Sequence, residues 1–264
     1  MQKKGIDISR YEEMFLEKSI NNRFLDKNCL SEDMYIELLE NNDEEVDLFL
    51  GSLQNSHSEF FRNSLTFSVL EHILIPSIIL KKKSTIRKEV RIWSAACAAG
   101  QEAYSLSIIF EEFNNCKNER FKFRIFATDQ SQVQLTEAQK GEYEFSSLNN
   151  VNLKRINQCF DKNGKSYKIK PELKKNIDFS VFDLLNEHLS SPPRSIFGDF
   201  DIVFCANLLF YYKPQYRRII MDKVENCMAE DGLLITGETE REIFLNNNFR
   251  EVYPYSAIFQ KIKK

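Results

Sequence analysis

After Lys88 the sequence falls into a repeating order of strand-like and helix-like segments, and that order restricts the chain more than any other feature. Residues 90–96 read as a strand, a loop of small residues closes at Gly100, and 102–113 carries Ala103, Leu106 and Phe110 at helical spacing. Residues 121–128 form a second strand, and 131–140 a helix stopped by Gly141. Strands at 177–182 and 200–205 follow, then a helix at 215–228 opened by Pro214, a turn at Asp231-Gly232, and a fifth strand at 233–236. The last pair, 252–255 and 257–261, reads as two strands with no helix between them. Alternation of this kind predicts an α/β fold, a doubly wound and mostly parallel sheet with helices on both faces. In such sheets ligands bind at the carboxyl ends of the strands, which makes the 96–102 loop, Asp129, Asp183 and Asn207 the candidates.

The first part of the chain has a different rhythm. Residues 7–53 are helical in pattern: Tyr11, Phe15 and Leu16 share a face, and Ser31-Glu32-Asp33 reads as a cap for a helix carrying Met34, Leu38 and Leu39. Residues 1–52 hold 6 Lys/Arg against 13 Asp/Glu, a net charge of -7 in a chain whose total is -3. A further helix at 67–80 ends in Lys81-Lys82-Lys83, a solvated helix end and linker. The division expected is a helical subdomain and linker over 1–88 and a main domain over 89–264.

Charge and apolar runs exclude several classes. A net charge of -3 supplies no global positive field for a phosphate backbone, so no nucleic-acid partner is expected. The apolar stretches 69–80 and 202–212 fall short of a membrane span, and Glu71 and Pro76 interrupt the first, so no membrane insertion is expected. No secretion signal is visible behind Met1, and a cytoplasmic location is expected. The 6 cysteines form no Cys-x-x-Cys pair and have no His at zinc spacing, so no metal is expected. Cys97 and Cys205 lie in apolar runs and read as small buried hydrophobes. His57 and His72 read as helix-surface or core residues rather than bases.

The loop Ala95-Ala96-Cys97-Ala98-Ala99-Gly100 has tiny side chains, which lets backbone approach a ligand, but it has one Gly where a dinucleotide fingerprint needs three. Asp129, at the end of the second strand, is placed to accept hydrogen bonds from two ribose hydroxyls, or to cap the helix that starts at Ser131. A ribose-type acid without phosphate-binding glycines points to an adenosine cofactor lacking a pyrophosphate, namely S-adenosylmethionine.

The segment Arg91-Ile92-Trp93-Ser94-Ala95-Ala96-Cys97-Ala98-Ala99-Gly100-Gln101-Glu102-Ala103-Tyr104-Ser105 resembles the first motif of the CheR-type chemotaxis receptor glutamate methyltransferases, roughly R-I-W-S-A-A-C-S-T-G-E-E-P-Y-S. Ser58-Glu59-Phe60-Phe61-Arg62, Ala127-Thr128-Asp129, the run 204–212 and the run 231–240 follow the same family in order, so the resemblance covers about 32–261. It implies a Rossmann-like class I methyltransferase sheet, a small helical N-terminal subdomain, and a small inserted β-subdomain at about 145–176 with an Asn163-Gly164 turn. It implies S-adenosylmethionine as cofactor, S-adenosylhomocysteine as product, and glutamate carboxylates of a chemoreceptor or related signalling protein as acceptors.

Carried onto this sequence, the resemblance puts Ser56, Ser58 and Arg62 near the methionine end of the cofactor or the acceptor carboxylate. Gly100 belongs to the cofactor loop, Glu102 would hold the cationic ammonium or the nearby loop, and Asp129 the ribose. Asp183-Leu184 and Asn207-Leu208 would line the adenine and methionyl parts, and Tyr211 would stand beside the reacting groups. Arg62 suits bidentate alignment of a carboxylate, and Tyr211 alone would also pass for packing in an aromatic run. The chain departs from the family at Ala206, where Arg is usual, at Asp183, where Asn is common, and in Gly237-Glu238-Thr239-Glu240, where Gly-His-Ser-Glu is usual. Its acidic first segment also contrasts with the basic face by which the family is thought to meet its receptor. Two alternatives stay open: a cofactor-binding regulatory module without turnover, and a methyltransferase for a different protein or a small carboxylic acid.

Overall fold

Glu13–Asp26 (α1), Glu32–Asn41 (α2) and Asp43–Leu53 (α3) are joined by links too short to hold anything but a turn, so their apolar faces must close on one another. The computed structural model describes residues 7–29, 31–53, 58–85, 87–116, 121–195, 197–245 and 248–262. By its contacts the chain divides into two compact units, Met1–Ser56 with Leu209–Arg218, and His57–Leu208 with Ile219–Lys264.

In the first unit Ser31 Oγ accepts the Met34 N–H at 3.3 Å, the cap the sequence implies, and Asn42 Oδ1 does the same for Glu45 at 3.0 Å. Buried Tyr35, Val46, Phe49, Leu50 and Leu53 fill the space between the helices. Tyr11 does not share a helix face with Phe15 as the spacing suggests. It precedes α1 and forms a bridge with Tyr212, on which its ring stacks at 5.1 Å. The Glu12 N–H donates to Tyr211 O at 2.9 Å, and Phe15 packs on the Tyr211 ring at 4.6 Å.

The second unit opens with Ser64–Val69 (α4) and Ile75–Lys83 (α5), joined through a wider turn at Leu70–Leu74. Pro76 explains that turn, because it has no N–H to donate and its ring would clash with the carbonyl four residues back; the Ile75 N–H reaches Leu70 O instead. The apolar stretch expected to be too short for a membrane span therefore belongs to a continuous 20-residue helix, Ser64–Lys83, of hydropathy 1.4, long and apolar enough to cross a membrane by length and composition. Its Phe67, Leu70, Leu74, Ile75 and Ile79 lie in the same core cluster as Val90, Ile92 and Ile258, which accounts for that apolarity. These shared contacts join α4 and α5 to the sheet.

The sheet is built from Glu89–Ala95 (β1), Gln101–Cys116 (α6), Lys122–Asp129 (β2), Gln132–Lys140 (α7), then an insert, then Ile177–Val181, Phe200–Phe204 and the C-terminal elements. The insert holds Glu142–Glu144 (β3), Leu153–Cys159 (α8), Phe160–Asn163 (β4), Ser166–Ile169 (β5) and Pro171–Lys174 (α9). β3, β5 and β4 form a separate antiparallel sheet, with Asn163 paired to Ser166 across a turn in which Gly164 has φ +59. Ile177–Val181 (β6) and Phe200–Phe204 (β7) return to the main sheet, followed by Pro214–Cys227 (α10), Met228–Ile235 (β8), Arg241–Leu245 (α11), Phe249–Glu251 (β9) and Ile258–Lys261 (β10).

The main sheet runs β6-β2-β1-β7-β8-β10-β9, parallel through its first five strands, with β10 antiparallel to both neighbours. This is the α/β, Rossmann-like class expected, and the strand order reverses between β1 and β7, where such sheets bind ligands.

Two local expectations fail. Asp231-Gly232 is no turn but part of β8, where Phe200 pairs with Met228 and Ile202 with Leu233, so a bulge absorbs the surplus residues. A Cβ on Gly232 would stand 2.8 Å from Phe200 O and 2.9 Å from Ala229 O. Residues 252–255 are not a strand either, since β9 has already ended at Glu251. The Glu251 carboxylate takes the N–H groups of Tyr255 (3.1 Å) and Ala257 (2.8 Å), both in left-handed backbone, and folds the segment into a turn.

Candidate active site

At the end of β1 the backbone enters the left-handed region three times in five residues, at Ala96 (φ 62), Ala98 (φ 48) and Gly100 (φ 90). That conformation costs about 1–2 kcal/mol for a residue with a Cβ, so the loop must be held from outside. The Cys97 N–H donates to Thr128 O at 2.9 Å and the Ala98 N–H to Asp129 Oδ2 at 2.9 Å, both at the end of β2. Tyr143 Oη donates to Ala99 O at 2.7 Å. Gly100 is required twice over, by its φ and because a Cβ there would lie 2.9 Å from Ala138 Cβ on α7. The resulting loop shows a ligand backbone and methyl groups only.

Asp129 accepts from Ala98 through Oδ2 and from the Ser131 N–H through Oδ1, each at 2.9 Å, which fixes its carboxylate at the end of β2 beside the loop. Burial pushes its carboxyl above the ordinary range, and the N–H groups of Ser131, Ala98 and Gln130 restrain it. The cap of α7 is Ser131 Oγ, on the Gln134 N–H, so Asp129 is not the cap.

Glu102 sits in the first turn of α6 and accepts a 2.6 Å hydrogen bond from Ser94 Oγ on β1. Burial raises its carboxyl to about 7, and nearby Glu240 adds to the rise; the Ser94 hydroxyl and the Arg62 charge oppose it. A carboxylate in that condition gains from any cation that enters. Arg62, half-buried, reaches this neighbourhood from the linker before α4. It lies between Phe61 (φ 50) and Asn63 (φ 64), and the Phe61 N–H donates to Ser105 Oγ at 2.9 Å. Phe60 is wholly buried edge-on against Tyr143 (4.9 Å) and Phe160 (5.4 Å) of the insert, and the Arg155 guanidinium covers the Phe61 ring at 4.5 Å. The two phenylalanines thus fix the backbone from which Arg62 projects. A cavity of about 550 Å³ opens beside them, lined by Phe61, Asn63, Ser68, Glu71, Arg155 and Glu238 among others.

Two more strand ends complete the row. The Phe182 N–H donates to Asp129 O at 3.0 Å, tying the end of β6 to β2, and Asp183 Oδ1 accepts the Leu185 N–H at 2.9 Å beside buried Leu184. After β7, Asn207 is left-handed (φ 59), and its N–H and that of Leu208 both end on the Glu240 carboxylate at 2.7 Å. Glu240, read above only as part of the run 231–240, meets both residues here. Its local signal is an acid that accepts the Gly237 N–H from three residues before it at 2.9 Å, and its bonds to Asn207 and Leu208 span more than thirty positions.

The sheet thus brings the 96–100 loop, Glu102, Asp129, Asp183, Leu184, Asn207 and Leu208 to one edge, with Arg62 near Glu102. Ser58 is half-buried in the linker, whereas Ser56 and His57 lie outside the described residues. Tyr211 belongs to the first unit, packed on Phe15 and Phe210. Cys97 and Cys205 are buried, with their thiols pushed up chiefly by burial, as suits inert core residues. Among the described residues no group of His, Cys, Asp or Glu could hold a metal.

A "Chemotaxis protein methyltransferase" of Borreliella burgdorferi is 27% identical over 95% of this chain and 87% of its own length. "Chemotaxis protein methyltransferase Cher2" of Pseudomonas putida is 30% identical over 80% of this chain and 75% of its own. Among solved structures, magnesium protoporphyrin IX methyltransferase (ChlM) from Synechocystis PCC 6803 with bound SAH aligns at 16% identity and a TM-score of 0.34, covering 74% of this chain and 59% of that one. The family model "CheR methyltransferase, SAM binding domain" matches residues 56–256, a span that contains Arg62, the 96–100 loop, Asp129, Asn207 and Glu240, and the chain belongs to the CheR methyltransferase family.

Proposed function

We propose that the chain transfers the methyl group of S-adenosylmethionine to glutamate carboxylates of a chemotaxis receptor or a related signalling protein, acting from the cytoplasm and giving glutamate methyl esters. The cofactor supplies an electrophilic methyl on a positively charged sulfur. The acceptor carboxylate is already ionised at pH 7, so no side chain has to take a proton, and the protein's task is orientation and exclusion of water.

The residues present fit that cofactor. The 96–100 loop gives access to backbone without side-chain bulk, Asp129 would receive the ribose hydroxyls, Glu102 would face the ammonium, and Asp183-Leu184 with Asn207-Leu208 would line the rest. The reading rests on one observation above the others: Arg62 is held by a buried Phe60–Phe61 anchor, within electrostatic reach of Glu102 at the strand ends. A guanidinium so placed would align a carboxylate through two parallel hydrogen bonds, which a lysine would not reproduce. Tyr211 would stand beside the reacting groups, and Ser56 and Ser58 near the methionine end.

Transfer of labelled methyl groups to receptor fragments, with release as methanol on mild base treatment, tests the reaction. Arg62→Lys is expected to lower kcat about 10- to 100-fold while S-adenosylhomocysteine binds with little change. A wild-type protein that does not bind S-adenosylhomocysteine in calorimetry would overturn the reading.

A further inference from the structure

Resting on the methyltransferase reading above, we propose that Glu240 is a positioning residue that holds the floor of the site in shape by carrying the pairing of β7 and β8 beyond its last backbone rung. That rung is the Cys205 N–H to Ile235 O bond of 2.9 Å. Past it the two chains separate, and three backbone N–H groups point into the space between them. Glu240 Oε2 takes those of Asn207 (2.7 Å) and Gly237 (2.9 Å), and Oε1 takes that of Leu208 (2.7 Å).

The arrangement leaves no slack. Glu240 is wholly buried, and a buried carboxylate is tolerated only where donors converge on it. Gly237 has room for hydrogen alone, since a Cβ would lie 2.9 Å from both Asn207 Oδ1 and Glu240 Oε2 and 3.0 Å from the Asn207 nitrogen. Asn207 keeps its left-handed backbone (φ 59) with its N–H tied down, so the direction of its side chain and of the Leu208 peptide follows from Glu240.

A second consequence concerns acceptor specificity. Converging backbone N–H groups at a strand end make an anion-binding concavity. Here the protein fills that concavity with its own carboxylate, so an acceptor carboxylate finds no backbone hole at Asn207-Leu208 and must be recognised by a side chain, for which Arg62 is the candidate.

Glu240→Gln keeps the shape and removes one acceptor: either way round, the amide NH2 meets at least one N–H donor. The variant is expected to bind S-adenosylhomocysteine about tenfold more weakly and to raise KM for the cofactor, with KM for the acceptor unchanged. Phe244→Leu, a core change on α11 outside the site, supplies the control for a merely structural role: at a matched loss of Tm it should leave cofactor affinity within about twofold of wild type. A folded Glu240→Gln protein that binds cofactor like wild type would overturn the proposal.

Should Glu240→Gln not fold, amide hydrogen exchange of the cofactor-free wild-type protein decides. The Asn207, Leu208 and Gly237 amides should be protected like that of Ile235, and exchange at open-loop rates would overturn the proposal. Failure of the methyltransferase reading is seen separately, as absence of cofactor binding by the wild type.

Discussion

Glu45, in the first turn of α3 in the first unit, and Glu102, in the first turn of α6 in the second, are both carboxylates drawn away from water, yet their protons are held with opposite strength. For both, burial is the largest influence and raises the carboxyl. Around Glu45 it is overcome: Arg23 binds both oxygens at 3.0 and 2.7 Å, Tyr35 Oη donates at 3.0 Å, and Lys27 Nζ lies 3.0 Å away, so the carboxyl falls below its ordinary value. Around Glu102 a single hydroxyl and a more distant guanidinium do not suffice, and the carboxyl rises to about 7. The difference is one of completeness: a finished set of counter-groups makes a structural element, whereas an unfinished one leaves a place for a cation.

Deleting the finished set should do the most damage. Glu45→Ala takes the bidentate partner from Arg23, only 16% exposed, and leaves it the longer 3.7 Å contact to Asp26, and a loss of about 3 kcal/mol is expected in denaturant melts. The same contrast fixes two pH signatures. Glu45 has a depressed carboxyl, so its contribution is present above the unfolded value and is lost as pH falls through the lower folded value. Glu102 works the other way: folded protein holds its proton up to about 7 and unfolded chain only to about 4.5, so stability declines as pH rises between those values and is level above them.

A bound ammonium would pull the Glu102 carboxyl down again and expel the proton. S-adenosylhomocysteine should therefore bind about tenfold more weakly at pH 6 than at pH 8, with proton release visible by calorimetry in buffers of different ionisation heat. Glu102→Gln should flatten that dependence. An unchanged pH profile in Glu102→Gln would assign the titration elsewhere and remove the contrast between the two acids.

How much of this could be read from sequence follows from the range of the interactions. The order of main-sheet strands and helices from Lys88 to Cys227, the cap at Ser31 and the placing of the candidates at the ends of β1, β2, β6 and β7 all rest on periodicity or near neighbours, and these are in the fold as read. Glu45 was legible only as one more acid in an acidic segment, because its partner Arg23 comes from another helix, 22 residues away. Glu240 is obscured in the same way, 33 positions from Asn207. Asp231-Gly232 and 252–255 misled because a turn-like dipeptide fits a bulge as well as a reversal, and because the Glu251 carboxylate bends what alternation alone would extend.

The smallest effect expected comes from a third kind of acid, exposed and with no ion-pair partner among the described residues. Asp33, Glu37 and Glu40 recur at helical spacing on the outer face of α2, with Ile36 among them 54% exposed. No Lys or Arg occurs from Asn28 to Phe61, and the nearby bases Arg23 and Lys27 are taken by Glu45. A partner that docks on α2 meets this charge directly. If it is an acidic receptor helix it is repelled, strongly at 0.01 M salt, where the Debye length is about 30 Å, and weakly at 0.15 M, where it is about 8 Å. Methylation of acidic receptor fragments should then rise severalfold across that salt range, while a substrate with basic residues around its glutamates should slow by a similar factor. The double variant Glu37→Lys, Glu40→Lys should reverse both slopes, each exposed charge contributing a few tenths of a kcal/mol. Rates on acidic fragments that fall with salt in the wild type would mean that docking is attractive, with the acids of α2 facing solvent and the partner held by bases elsewhere on the chain.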